Sequence, residues 1–156
     1  MDIEIPSLPI LIYGFGNPGR QDDGLGPALV EQLEAWAQAE KISGVAFDSN
    51  YQLNAEDALA VAESREVVFV DAAKEGQAPF EFRPLAPQKE ISFSTHAMSP
   101  ESVLALADEL YGARPPAWLL AIRGESWEPN AAPTAAARFH LAAARDFVQA
   151  WLRGRV

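Results

Sequence analysis

The chain contains 156 residues, 49% of them hydrophobic, which is the length and composition of one ordinary globular domain. Its 22 acidic and 12 basic residues leave a formal net charge of −10, which disfavours nucleic acid and anionic membranes as partners. Cysteine is absent, which excludes disulfides, thiolate catalysis and cysteine-ligated metal centres.

The beginning of the chain does not resemble a targeting segment. Asp2 and Glu4 precede its first apolar stretch, whereas a signal peptide would carry basic residues there. No apolar run approaches the roughly 20 residues that a membrane-spanning helix needs. We therefore expect a cytoplasmic protein with a single domain over residues 1–156 and no membrane partner.

Short apolar runs alternate along the chain with longer amphipathic segments. The runs predict strands at Pro9–Tyr13, Gly44–Asp48, Glu66–Val70, Phe80–Leu85 and Trp118–Ile122. Prolines in and after the fourth run place it at or near an edge of the sheet. The amphipathic segments predict helices at Leu25–Ala39, Ala55–Glu63, Ser99–Tyr111 and Thr134–Arg153.

This alternation predicts an α/β fold with three layers, αβα. A mostly parallel, twisted sheet of about five strands is expected, with helices covering both faces. In such sheets ligands bind outside the carboxyl ends of the strands. Polar residues that follow the predicted strands are therefore the candidates for a functional site.

The segment Gly14–Gly26, GFGNPGRQDDGLG, follows the first predicted strand and begins with a G-x-G-x-x-G pattern. The pattern is typical of dinucleotide binding, but Pro18 and several polar residues separate it from the helix. Asp22 and Asp23 stand where a pyrophosphate would lie and would repel it. Asp48 also comes later than the usual ribose-binding acid. Nucleotide binding is therefore the weaker alternative for this segment.

The two adjacent acids have a simpler interpretation, because an acid before a helix often caps it. Capping requires only one acid, which is either Asp22 or Asp23; the functional interpretation takes Asp22 as the cap. Asp23 would then remain available at the sheet edge, and the helix N-terminus would keep it ionised. An ionised acid in that place is suited to hold a cation.

Asp71 and His96 are expected at the same edge of the sheet. Asp71 follows the apolar run VVFV directly, so that it is either a turn residue or an acid with a shifted pKa in a desolvated place. His96 lies in a small polar loop before the Ser99 helix. Asp23, Asp71 and His96 together would suit Ni, Zn, Mn or Fe, or would act on a water as acid and base. His140 lies within a predicted helix and is interpreted as structural or as a surface residue.

Several segments resemble one known family. GNPGRQDDGLGP is similar to the opening motif of the hydrogenase maturation endopeptidases, and YQLNAE, VVFVDAA and STHAMSPESVL are similar to later segments of that family, in the same order. The resemblance implies an α/β fold with a five-stranded sheet between helices. It also implies an endopeptidase that removes a C-terminal extension from the large-subunit precursor of [NiFe]-hydrogenase after the metal centre has been loaded.

The same resemblance implies roles for five residues. Asp23, Asp71 and His96 correspond to the metal-contacting set and are the predicted catalytic residues, whereas Asn17 and Gln52 are predicted to bind substrate. Nickel, carried by the precursor, is the expected metal, and Zn or Cd are other ions that such a site accepts. The sequence AIRGESWEP departs from the commonest family pattern and looks more like enzymes that serve soluble or bidirectional hydrogenases.

Two mechanisms remain open at this point. Either the three residues recognise nickel already present in the substrate, which we favour, or the acids activate the hydrolytic water themselves. Asp71 is the expected acid–base group because it should be the least solvated of the three. The alternative from another class is a non-catalytic module of the same fold that binds a metal or a partner protein.

Overall fold

A computed structural model describes residues 7–88 and 98–156 of the chain. Its centre is a five-stranded sheet in the order β2-β1-β3-β5-β4. The strands are β1 Ile10–Phe15, β2 Val45–Asn50, β3 Glu66–Ala73, β4 Phe80–Leu85 and β5 Ala117–Arg123. All neighbouring pairs are parallel except β4 with β5. The predicted mostly parallel sheet is therefore confirmed, and so is the edge position of β4.

The four helices cover both faces of this sheet. They are α1 Leu25–Ala39, α2 Asp57–Ala62, α3 Pro100–Tyr111 and α4 Ala135–Arg153. Helices α1 and α4 pack over one face, where Ile10, Val68 and Leu120 are fully buried, and α2 and α3 pack over the other, where Val67 and Phe69 are. Side chains that alternate along β3 thus enter two separate cores, which is why its sequence is apolar throughout. The three-layer αβα fold is confirmed.

The helix ends follow the sequence signals in two cases and depart from them in one. Ser99 and Thr134 each accept a hydrogen bond from the backbone N–H three residues later, which makes them the N-caps of α3 and α4, so that each helix begins one residue after its predicted start. Helix α2 is shorter than predicted at both ends. Asn54 does not cap it through its side chain; instead its backbone N–H donates to Asp57 Oδ2 at 2.8 Å.

Strand β3 is longer than predicted, and this changes the position of Asp71. The strand continues through Ala73, so that Asp71 lies within it and pairs with Ala121 of β5. Asp71 is therefore not a turn residue. Among the residues that the structure describes, no helix is long and apolar enough to cross a membrane.

Candidate active site

The sheet opens between β1 and β3 at their carboxyl ends. Their pairing ends at Gly14 with Val70, while β3 continues beside β5 as far as Ala73 with Arg123. The chain leaves β1 toward β2 on one side and leaves β3 toward β5 on the other, so that this is the point where the strand order reverses. Such points are the usual ligand-binding crevices of open α/β sheets.

Two glycines allow α1 to begin directly against this crevice. A Cβ atom on Gly26 would lie 2.5 Å from the Val70 carbonyl oxygen and 2.7 Å from that of Phe15, and one on Gly14 would collide with the Gly26 carbonyl oxygen. Any side chain at either position would push α1 away from the sheet. Gly14, the first glycine of the G-x-G pattern, and Gly26 therefore serve close packing of helix and strand.

A 3-10 helix, Pro18–Gly24, lies between Gly14 and α1 and positions Asp23. The Asn17 side chain caps this 3-10 helix by accepting the Gly19 N–H at 2.9 Å. The Asn17 N–H donates to Asp23 Oδ2 at 2.7 Å, which holds the half-buried carboxylate over the end of β1. Asn17 thus shapes the loop, and its role in substrate binding stays a prediction.

Asp71 lies half-buried on the β3 side of the crevice, and it has an unusual pKa. Burial raises the pKa of its carboxyl from 3.8 to about 7; the Ala72 N–H, 2.8 Å from Oδ1, opposes this rise, and the negative charge of Asp23 adds to it. That electrostatic effect indicates that the two acids are near each other. An acid with a pKa near 7 can both accept and release a proton under neutral conditions.

Asp22 has a different role from the one its position suggested. It is 0% exposed, and the N-cap of α1 is Gly24, with no side-chain hydrogen bond at that cap. The Asp22 carboxylate instead accepts four hydrogen bonds, from the N–H groups of Glu125, Ser126 and Thr134 and from the Thr134 hydroxyl, at 2.8–3.1 Å. The prediction that Asp22 or Asp23 caps α1 is therefore wrong.

These four bonds also determine how Asp22 ionises. Burial by itself would raise the pKa of the carboxyl, but the donors of Glu125, Thr134 and Ser126 outweigh it and lower the pKa below 3.8. Asp22 is therefore charged at neutral pH, and its carboxylate makes its hydrogen bonds inside the protein. The structural role of Asp22 was not recognised from the sequence. Its only sign there was that the segment contains one acid more than the predicted site requires.

The remaining predicted residues are placed as follows. Gln52 is exposed after the end of β2, with its side-chain amide 3.5 Å from Asn54 Oδ1, and its contact with substrate stays a prediction. His140 Nδ1 lies 2.7 Å from the Arg123 carbonyl oxygen, which supports its structural interpretation. His96 lies outside the described residues. Within 7–88 and 98–156, no three His, Cys, Asp or Glu side chains are grouped as metal ligands would be.

The fold and the crevice define a class: a three-layer αβα protein with two acids where the strand order reverses. No protein-family model matches the chain, and no curated protein matches it. Solved structures do. The [NiFe] hydrogenase maturation protease HycI from Thermococcus kodakarensis has a TM-score of 0.72 at 23% identity, over 94% of this chain and 93% of that one.

Two further solved structures are similar over nearly their whole length. The hydrogenase maturating endopeptidase HybD from E. coli has a TM-score of 0.67 at 24% identity, over 94% of this chain and 93% of that one. The hydrogenase 2 maturation peptidase from Thaumarchaeota archaeon SCGC_AB-539-E09 has a TM-score of 0.66 at 20% identity, over 92% and 97%. The fold implied by the sequence resemblance is thus confirmed.

Proposed function

We propose that this protein is a cytoplasmic endopeptidase that removes the C-terminal extension of a [NiFe]-hydrogenase large-subunit precursor, and that nickel in the precursor is its recognition signal. The likeness in fold to three maturation proteases over at least 92% of the chain supports the proposed class of reaction. The observation that carries the proposal is Asp71, a half-buried acid at the crevice whose pKa is about 7.

In this proposal Asp71 performs the proton transfers of peptide hydrolysis. Its ionised carboxylate accepts a proton from the attacking water, and the carboxylic acid so formed gives that proton to the departing amine. Both steps are accessible near neutral pH only to a group whose pKa lies near 7, which an ordinary exposed aspartate lacks. From the described residues the Asp71 carboxylate accepts one hydrogen bond, from the Ala72 N–H, and its second oxygen is proposed to take part in this chemistry.

Asp23 and His96 complete the proposed recognition site. Asp23 Oδ2 is engaged by the Asn17 N–H, and its other oxygen is available to a cation delivered by the precursor. A carboxylate pair with an imidazole suits nickel, zinc or cadmium. In the acid-only mechanism Asp23 and Asp71 activate water without nickel in the substrate. This mechanism therefore predicts equal cleavage of nickel-free and nickel-loaded precursor.

The test is cleavage of purified precursor, prepared with and without nickel, by the wild type and by Asp71→Asn, Asp23→Asn and Asp146→Asn. Asp146 is an acid on α4 that is 71% exposed, and it serves as the matched control. We expect Asp71→Asn and Asp23→Asn to lose roughly 30- to 1,000-fold in rate and Asp146→Asn to retain activity.

Each result has a separate meaning. Equal cleavage of nickel-free and nickel-loaded precursor contradicts nickel recognition and favours the acid-only mechanism. Full activity of Asp71→Asn contradicts the site. Binding of the loaded precursor by the wild type without any cleavage favours the non-catalytic module of the same fold.

A further inference from the structure

We infer that Asp22 is a positioning residue: its buried carboxylate joins the 124–134 loop to the 3-10 helix and thereby fixes the Asp23 carboxylate relative to Asp71. The inference rests on the proposed function for its catalytic consequence. Its structural part, that Asp23 loses its place without Asp22, stands on the contacts alone.

The first step concerns the 124–134 loop, which connects the two sides of the crevice. At its beginning, the Gly124 N–H donates to the Ala73 carbonyl oxygen at 2.9 Å, so that the loop is attached to the end of β3, two residues beyond Asp71. The next two N–H groups, of Glu125 and Ser126, donate to Asp22. One short stretch of backbone therefore joins the strand of Asp71 to the residue before Asp23.

The second step concerns the 3-10 helix, which is attached to the loop at three places. Besides the Asp22 carboxylate, the Asp22 N–H donates to the Ser126 carbonyl oxygen at 3.1 Å. Gln21 Oε1 accepts the Glu128 N–H at 3.1 Å. The Asn130 N–H donates to the Gly19 carbonyl oxygen at 2.8 Å. The 3-10 helix therefore lies against a second segment along its length and does not depend on its own hydrogen bonds alone.

The third step concerns backbone strain immediately before the acid pair. Gln21 has φ 54° and ψ −115°, a conformation that is unfavourable for a residue with a side chain. Strain of this kind persists only where surrounding contacts hold it. Here the hydrogen bonds of Gln21 and Asp22 to the 124–134 loop hold the strained backbone. The backbone of the 18–24 segment should therefore relax when the Asp22 carboxylate is removed.

The consequence falls on Asp23, because it is the next residue along the chain. From the described residues its carboxylate accepts one hydrogen bond, from the Asn17 N–H, whereas Asp71 stands on a strand paired on its β5 side. A relaxation of the 3-10 helix therefore moves Asp23 and leaves Asp71 in place. Displacements of about 1 Å at a reacting centre are enough to reduce rates about 100-fold.

Two readouts test this, one of structure and one of catalysis. Hydrogen exchange of the Asn17 amide reports directly on its bond to Asp23. In Asp22→Asn we expect Asn17 to lose at least roughly tenfold more protection than a core amide such as that of Val68. On nickel-loaded precursor we expect kcat to fall at least roughly 30-fold with little change in KM.

The controls separate positioning from loss of stability. Val148→Ala removes methyl groups from the core beneath α4 and should destabilise the fold. We expect no selective loss of exchange protection at the Asn17 amide and no loss of kcat in this variant. Thr134→Val removes one of the four donors together with the N-cap oxygen of α4 and keeps the Asp22 charge. It serves if Asp22→Asn does not fold, and we expect the same selective loss of protection at Asn17, at smaller size, beside a general loss of stability from the missing cap. Thr134→Ser keeps the hydroxyl and should behave as wild type.

The inference is overturned if the Asn17 amide loses no more protection than the core amides in Asp22→Asn and Thr134→Val. It is also overturned if Asp22→Asn loses no more kcat than Val148→Ala does. Failure of the wild type to cleave precursor would count against the proposed function instead, and the exchange measurement would still decide whether Asp22 positions Asp23.

Discussion

Two aspartates near the carboxyl edge of the sheet, Asp22 and Asp71, are both removed from solvent to a large degree, yet their carboxyls have opposite properties. Asp22 accepts four hydrogen bonds, and its pKa is lowered. Asp71 accepts one from the described residues, and its pKa is raised to about 7. Burial opposes ionisation in both, so that the number of donors decides the sign of the shift.

The comparison shows that one edge of a sheet can hold both a structural carboxylate and a chemically reactive one. A carboxylate whose lone pairs are occupied stabilises the fold and has no capacity left for a substrate. A carboxylate that is desolvated but left with few partners weakens the fold and can exchange protons near pH 7. Sites of function commonly reduce stability in this way.

The largest effect is expected from Asp22→Asn. The amide nitrogen of asparagine would face N–H groups that now donate to the carboxylate, so that buried donors would lose their acceptor. We expect a loss of about 3 kcal/mol in the free energy of unfolding at pH 7, measured by urea denaturation. Asp146→Asn, at an exposed site, should change it by less than about 0.5 kcal/mol.

The loss should depend on pH in a defined direction. Because the folded state lowers the pKa of Asp22, its stabilisation is fully present above the unfolded value of about 3.8 and is lost as the pH falls through the folded value. The difference in the free energy of unfolding between wild type and Asp22→Asn should therefore become smaller below about pH 4. A gap that is small at pH 7 would contradict the structural role of Asp22.

A smaller effect of opposite sign is expected from Asp71→Asn. The folded state raises the pKa of Asp71, so that ionisation costs the wild type stability as the pH rises from about 4 through 7. Asparagine removes this cost, and we expect about 1–2 kcal/mol of added stability at pH 8, reduced from the full pKa difference because the side chain retains some contact with water. The same urea titration at pH 8 and pH 4 measures it; a destabilised variant at pH 8 would show that the acid is structural.

Much of this arrangement follows from local sequence. The apolar runs identified all five strands, and Ser99 and Thr134 marked the starts of two helices, because caps and buried strands depend on neighbouring residues. The end of β3 was missed because Ala72 and Ala73 favour neither strand nor turn strongly. Their place in the sheet comes from pairing with β5.

The candidate site was predictable in part, for the same physical reason. Asp71 and Asp23 were predicted to lie at one edge of the sheet because each comes at or shortly after the carboxyl end of a parallel strand, and such ends meet. Their catalytic role stays a prediction. The role of Asp22 was not predictable, since its hydrogen-bond donors lie 103 to 112 residues away and no pattern in the neighbouring sequence indicates them. The third predicted ligand, His96, lies outside the described residues and stays a prediction.

The most direct test of the opposite pKa shifts of the two acids is a pH titration in which carbon NMR monitors both side-chain carboxyls. Spectra of Asp22→Asn and Asp71→Asn supply the assignments. We predict a midpoint at about 7 for Asp71 and a midpoint below 3.8 for Asp22 in the same protein. Midpoints that both lie near the ordinary value of about 4 would contradict the account.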